Sequence, residues 1–422
     1  MGLKMEHATS KTRALSATQG VQTSGPDTAV AAGRHSQGTI EWRQILGLRE
    51  MGIYYALAML VTILAIATGY AGRENYLSFL NLTNVLYQSS YTAIMAIAMT
   101  VILISGNFDL SVGSVAAFSA VVVVGLCNVI GFIPAAIVAM LAAFLAGAMN
   151  GIIVQYLRIN AFIVTLGTMT AIRGLVLIVT DGRSLSVTTN SANDAMRVFE
   201  AGRVGGGLPL TILAVLLFLA GSYSIVVAMQ RRTSVRASAV GMILGGGVIA
   251  WLVSTIGMAE VMVPKSVIYM SIFGAATWFV LRFTTTGRRL YAVGGNAEAA
   301  RLSGISVVKY KLLCFVLCSG AAGFAGILFA SDLRSVNPSA LTGSELTVIA
   351  SAILGGTSLF GGAGSIPKTL AGTFLLYALT NGFNILNLGA NYQGFIEGTV
   401  IVTAAAIYSV GGNRRRMARK VK

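Results

Sequence analysis

Few side chains in this sequence could do covalent chemistry. His7 and His35 are the only histidines among 422 residues, and both lie in a polar N-terminal stretch. No grouping of Cys, His, Asp and Glu has the spacing of a metal site. One run imitates a nucleotide cradle: GAGSIPKT, Gly362 to Thr369. A phosphate-binding loop reads G-x-x-x-x-G-K-[ST], because its glycines let backbone N–H groups surround the phosphates. Here Pro367 stands in the second glycine's place, and proline lacks an N–H and fixes φ. The run reads instead as a glycine-rich turn anchored by Lys368. These residues point away from an enzyme and from any cofactor bound by this chain.

Polar groups suited to holding a solute are a different matter. ISGNFDLSVGS, Ile104 to Ser114, places Asn107, Asp109 and Ser111 between two apolar runs. A charge beside a membrane span is held in a cavity or against protein. Two roles are open to Asp109: accepting from backbone N–H groups at the start of the next span, as Ser111 could too, or contact with a solute. Glu397 lies a few residues into the last apolar run, where packing and solute binding are again both open. Asn150, Asn160, Asn381, Asn384 and Gln393 add donors and acceptors suited to a neutral, many-hydroxyl solute. A second glycine-rich turn, ILGGTSLFGGAGS from Ile353 to Ser365, resembles the first in plan, which suggests a parallel internal repeat.

One further polar stretch interrupts the apolar sequence: YAVGGNAEAARLSGISVVKYK, Tyr291 to Lys311. Asn296 can cap a helix, and Glu298 falls in its first turn, where negative charge is favoured. Ala297, Ala299 and Ala300 are good helix formers, and Gly304 supplies a stop. The pattern predicts a helix over Ala297 to Ser303 with glycine-rich loops at either end. Two turns cannot stand alone in water. The helix is therefore either an ordinary interfacial loop helix or one that packs against a cytoplasmic partner.

The elements that must carry these groups are membrane helices. The chain is 55% hydrophobic and 10% charged, with mean hydropathy +0.77, whereas soluble domains carry about 25% charged residues. Apolar runs near 20 residues, enough to cross a hydrocarbon core, lie at 51–70, 86–105, 113–132, 134–154, 161–180, 207–229, 239–257, 262–281, 309–330, 345–360, 366–388 and 393–410. The fold class expected is all-α, a polytopic bundle of about 10–12 spans. Residues 345–360 and the pair flanking 106–111 are candidates for broken or re-entrant segments. Residues 1–45 read as a disordered tail, 46–410 as one transmembrane domain, and 411–422 as a basic tail. Cys127, Cys314 and Cys318 all sit in apolar runs and read as small hydrophobes.

Charge orients the chain. With the N-terminus inside, 23 of the 30 Lys and Arg residues fall on the inner side. That bias is the positive-inside signal and puts both termini in the cytoplasm. The formal charge of +16 then reflects topology and anionic lipid, with no nucleic acid required. Residues 288–308 face inward on the same argument.

Four motifs in order resemble those of sugar permeases of bacterial ABC importers. They are ISGNFDLSVGS at 104–114, NAFIVTLGTMTAIRG at 160–174, GRRLYAVGGNAEAARLSGI at 287–305 and ILGGTSLFGGAGS at 353–365. The resemblance spans about residues 50–410 and takes in ribose, arabinose, galactose and xylose permeases. It is nearest to D-xylose permeases, whose longer form matches the apolar pair between Asp194 and Arg282. The N-terminal tail is longer than the family's usual start. The resemblance implies an inner-membrane homodimer of permease subunits, two cytoplasmic ATPase subunits that use the ATP, a periplasmic sugar-binding protein, and a monosaccharide moved unchanged. It also implies that Gly294, Gly295, Asn296, Glu298, Ala299, Ala300, Arg301, Leu302, Ser303 and Gly304 form the segment that couples to the ATPase.

Overall fold

Every residue from Ser89 to Ile104 is buried, a pattern that only a helix enclosed on all sides produces. That helix is the axis of the molecule. The computed structural model describes residues 48–200, 202–230, 237–256 and 262–388, with 394, 395, 398, 399 and 402. In order the helices are α1 (Leu48–Tyr70), α2 (Phe79–Ile104), α3 (Val112–Ile130), α4 (Phe132–Tyr156), α5 (Ala161–Thr180), α6 (Asn190–Phe199) and α7 (Gly207–Gln230). They continue with α8 (Ala237–Ile256), α9 (Lys265–Phe283), α10 (Thr285–Gly295), α11 (Ala297–Leu302), α12 (Val307–Leu333), α13 (Ser344–Leu354) and α14 (Ile366–Ile385). Two small antiparallel pairs complete the described residues: β1 (Leu185–Ser186) with β4 (Ser335–Val336), and β2 (Arg203–Gly205) with β3 (Met262–Pro264).

The protein is an all-α polytopic membrane bundle. Eight described helices are long and apolar enough to cross a membrane: α1 to α5, α7, α9 and α12. α8 and α14 are each 20 residues long. With only 11 residues, α13 reaches about 16 Å, roughly half a hydrocarbon core. The expected span at 345–360 is thus a half-length helix followed by a turn. Of the expected span at 393–410 only residues 394, 395, 398, 399 and 402 are described, and the tails at 1–45 and 411–422 lie outside the described residues.

α2 is ringed by α9, α12, α13 and α14. Hydroxyl pairs pin it among apolar neighbours: Thr100 with Thr369 at 2.6 Å and Thr92 with Tyr377 at 2.5 Å. Small residues set the approach of α4 to α12. A Cβ at Gly147 would sit 2.6 Å from the Phe315 carbonyl oxygen, and one at Gly151 would sit 3.3 Å from Leu312. Such close backbone approach is how helices associate where lipid removes the hydrophobic drive between them. By contrast, α7 and α8 pack almost wholly on each other around Ala228 and Ala239. β2 and β3 close the base of that hairpin.

Candidate functional site

The polar stretch at 291–311 folds as two helices and the start of a third. Asn296 caps α11, its side-chain oxygen accepting from the Ala299 N–H at 3.0 Å. Gly304 ends it at φ +78, with the Gly304 N–H donating to the Arg301 carbonyl and the Ile305 N–H to the Ala300 carbonyl. Ala300 faces inward, while Glu298, Ala299, Arg301, Leu302, Ser303 and Gly304 are exposed. Arg301 and Glu298 pair at 2.7 Å across one turn. Leu302 is 80% exposed, a large apolar side chain that the bundle itself does not use. The expected loop before this helix is absent. Gly294 and Gly295 belong instead to α10, capped at its start by the Thr284 hydroxyl, which accepts from the Gly287 N–H. The entry to α11 is a one-residue joint at Asn296, because packing of Gly294 overrides the poor helix propensity of a glycine pair.

That packing joins three segments. A Cβ at Gly294 would fall on the Ile104 carbonyl oxygen, so only glycine fits there. The Ile104 carbonyl in turn accepts from the Gly362 N–H at 2.9 Å. Gly106 and Gly361 hold φ of +80 and +85, a region open to glycine without steric cost. A Cβ on Gly361 would stand 2.6 Å from the Gly294 oxygen. The Tyr291 hydroxyl donates to the Gly364 carbonyl at 2.8 Å. The two glycine-rich turns therefore touch each other and grip the end of α10 between them. Pro367 falls in the first turn of α14, where no N–H is required. Beside it Phe360 is 94% exposed, a second open apolar side chain at this end.

Asp109 lies behind the joint, fully buried. One oxygen, Oδ1, accepts from the Ser111 N–H at 2.8 Å and from the Ser111 hydroxyl at 2.5 Å. Its other oxygen accepts from Ser319 at 3.3 Å. A donor chain feeds this carboxylate: Thr168 donates to Asn150 at 2.6 Å, and Asn150 donates to the Ser111 hydroxyl at 3.1 Å. The network ties α3, α4, α5 and α12 together, and Asp109 holds Ser111, the residue that precedes α3. Asn107 is buried and donates to Ser105 at 3.4 Å. Asn107 and Asn160 meet at a cavity of 460 Å³ that also holds Gln155, Arg158 and Lys311. Asn160 itself caps α5 through the Phe162 N–H at 2.9 Å. Asn384 is exposed near the last turn of α14, at the far end from the joint. Glu397 lies outside the described residues.

Sequence reading missed a cluster at the other end of α2. The Tyr87 hydroxyl donates to Asp332 at 2.6 Å, and the Tyr91 hydroxyl donates to Glu200 at 3.0 Å. Glu200 follows α6 and is sealed from solvent, and its Oε2 has no partner among the described residues. Burial pushes its carboxyl upward from the ordinary range, although the Tyr91 hydroxyl donates to it. These partners are separated by 245 and 109 positions, so no local motif announces them. Aromatic packing fixes the end of α6: Phe199 stacks on Tyr269 with centroids 5.5 Å apart, and Lys265 donates to the Val198 carbonyl. Among the described residues no three metal-ligating side chains gather at one place.

Known proteins resemble this chain in sequence over most of its length. The family described as branched-chain amino acid transport system / permease component matches residues 81–405. The ribose import permease protein RbsC of Escherichia coli (strain K12) is 33% identical over 364 residues, covering 85% of this chain and 94% of that protein. The xylose transport system permease protein XylH of the same strain is 31% identical over 377 residues, covering 85% and 92%. Bacillus subtilis (strain 168) RbsC is 31% identical over 362 residues, covering 85% and 92%. No solved structure matches the chain. With its multi-pass bundle and a family match over most of its length, the chain belongs to this family of transport-system permease components and is a transport subunit rather than an enzyme.

Proposed function

We propose that this chain is the membrane-spanning subunit of an ATP-driven sugar importer in a bacterial inner membrane, with both termini cytoplasmic. It pairs with a second copy of itself, two ATPase subunits and a periplasmic binding protein, and it passes a monosaccharide, D-xylose foremost. The observation that carries this reading is α11, an exposed six-residue helix with Leu302 open to solvent, fixed to the bundle through Gly294. A helix so short needs a partner to be ordered by more than its caps, and α11 has the shape of a knob for a socket on the ATPase. The loaded binding protein and ATP each favour one of two states of the dimer, and their difference in affinity moves the sugar. ATP is consumed by the partner; no group of this chain acts as nucleophile or base.

D-xylose is the reading suggested by the apolar pair between Asp194 and Arg282, which resembles that of the longer, xylose-type permeases. Ribose is the competing sugar, since relatives named for ribose import stand at similar identity. A nucleoside or other small polar solute would use the same architecture. Purified cognate binding protein screened against xylose, arabinose, ribose, galactose and glucose decides among the sugars. Uptake by proteoliposomes that hold the permease without ATPase would overturn the ABC reading outright.

A further inference from the structure

Two carboxylates, two phenols and a cavity lie together at the end of the bundle opposite α11. Tyr87 and Tyr91 are 13 to 17 residues before Ile104 on α2, about 20–25 Å along a helix. A cavity of 260 Å³ opens there, lined by Thr83, Asn84, Tyr87, Arg203 and Pro264. Tyr87 belongs both to this lining and to the hydrogen bond with Asp332. Its ring meets Tyr91 edge-on at 6.0 Å, and Tyr91 meets Phe329 at 6.3 Å. Arg203 lines the cavity, and Arg334 acts on the Glu200 carboxylate through space. Lys265, next to Pro264, adds a third cation to the two guanidinium groups that face the two acids, so neither sign dominates the site. The chemistry is that of a neutral molecule with many hydroxyls: carboxylates accept from them, phenols and amides do both, and aromatic faces cover the C–H surface.

The buried orphan Oε2 of Glu200 supplies the second pointer. A sealed carboxylate oxygen without a donor costs free energy, and a hydroxyl of a guest that reached it would supply the donor.

We propose that this cavity, with Tyr87, Tyr91, Glu200 and Asp332, is the site where the sugar enters the permease from its outer end. The Tyr87–Asp332 and Tyr91–Glu200 pairs exchange their mutual hydrogen bonds for the hydroxyls of the guest. Asp332 closes α12, and the start of α12 follows α11, so one helix about 40 Å long spans from the inner knob to the outer site. The site rests on the sugar-permease reading above.

The test uses the complete importer in proteoliposomes, with radiolabelled D-xylose and D-ribose and the loaded binding protein outside. Tyr87→Phe, Tyr91→Phe, Glu200→Gln and Asp332→Asn are compared for uptake and for ATP hydrolysis stimulated by the binding protein. The site requires uptake per ATP to fall about tenfold in Asp332→Asn and Glu200→Gln, the loss of one hydrogen bond to a charged group. Stimulated hydrolysis stays near wild type, since the ATPase contacts are untouched. Uptake and hydrolysis falling in parallel, or neither changing, would overturn the site while wild-type uptake upholds the parent reading. Should either carboxylate variant fail to assemble, Tyr87→Phe, which removes one hydroxyl, carries the same comparison. Wild-type importer that moves neither sugar overturns the parent reading, and the site falls with it.

Discussion

At Gly294 and Gly295, neighbouring residues of one type do opposite things. A methyl at Gly294 has nowhere to go but the Ile104 carbonyl, whereas nothing stands within 4 Å of a Cβ on Gly295. Gly294→Ala should therefore destabilise the protein by about 1–3 kcal/mol, the range for overpacking, and lower its melting temperature in detergent. Gly295→Ala should be neutral or stabilising by up to about 1 kcal/mol, since alanine is the better helix former. Equal behaviour of the two variants would remove the three-segment joint as an explanation. Asp109 gives a second contrast. Asp109→Asn keeps an oxygen for the Ser111 N–H and should leave most transport intact. Asp109→Ala orphans buried donors, at about 1–3 kcal/mol. Loss of transport in a well-folded Asn variant would instead assign Asp109 a direct part in the path.

Helix α11 shows what an element can and cannot do by itself. Its caps set where it begins and ends, and its salt bridge adds little, because water and salt screen an exposed pair. Glu298→Ala with Arg301→Ala should leave melting and membrane insertion unchanged yet weaken co-purification of the ATPase. Leu302→Asp should weaken it further, by about tenfold or more, because a charge would replace an apolar side chain in a desolvated contact. Full ATPase recovery with both variants would leave α11 an ordinary interfacial helix. The same scale explains α13: eleven residues cannot span, so its end and the following turn must be covered by protein. The joint with Gly106 and Gly294 supplies that cover.

For the whole molecule, the charge distribution makes the boldest statement. Fluorescent protein fused at either terminus should fold and fluoresce in the cytoplasm, and alkaline phosphatase at the same positions should be inactive; the reverse pattern would invert the topology. By itself, the sequence determined the class of the protein, most of its helices, and the start and stop of α11. Those features are written in composition, in runs of apolar residues and in capping residues a few positions apart, and such short-range signals survive without the fold. The tertiary structure alone decided that the two glycine-rich turns meet on α10, that Asp109 is buried in a network of four helices, and that Tyr87, Tyr91, Glu200 and Asp332 share one end. Each of these joins residues far apart in the chain. A side chain's partner across such separations is chosen by helix packing, and the side chain carries no local mark of it.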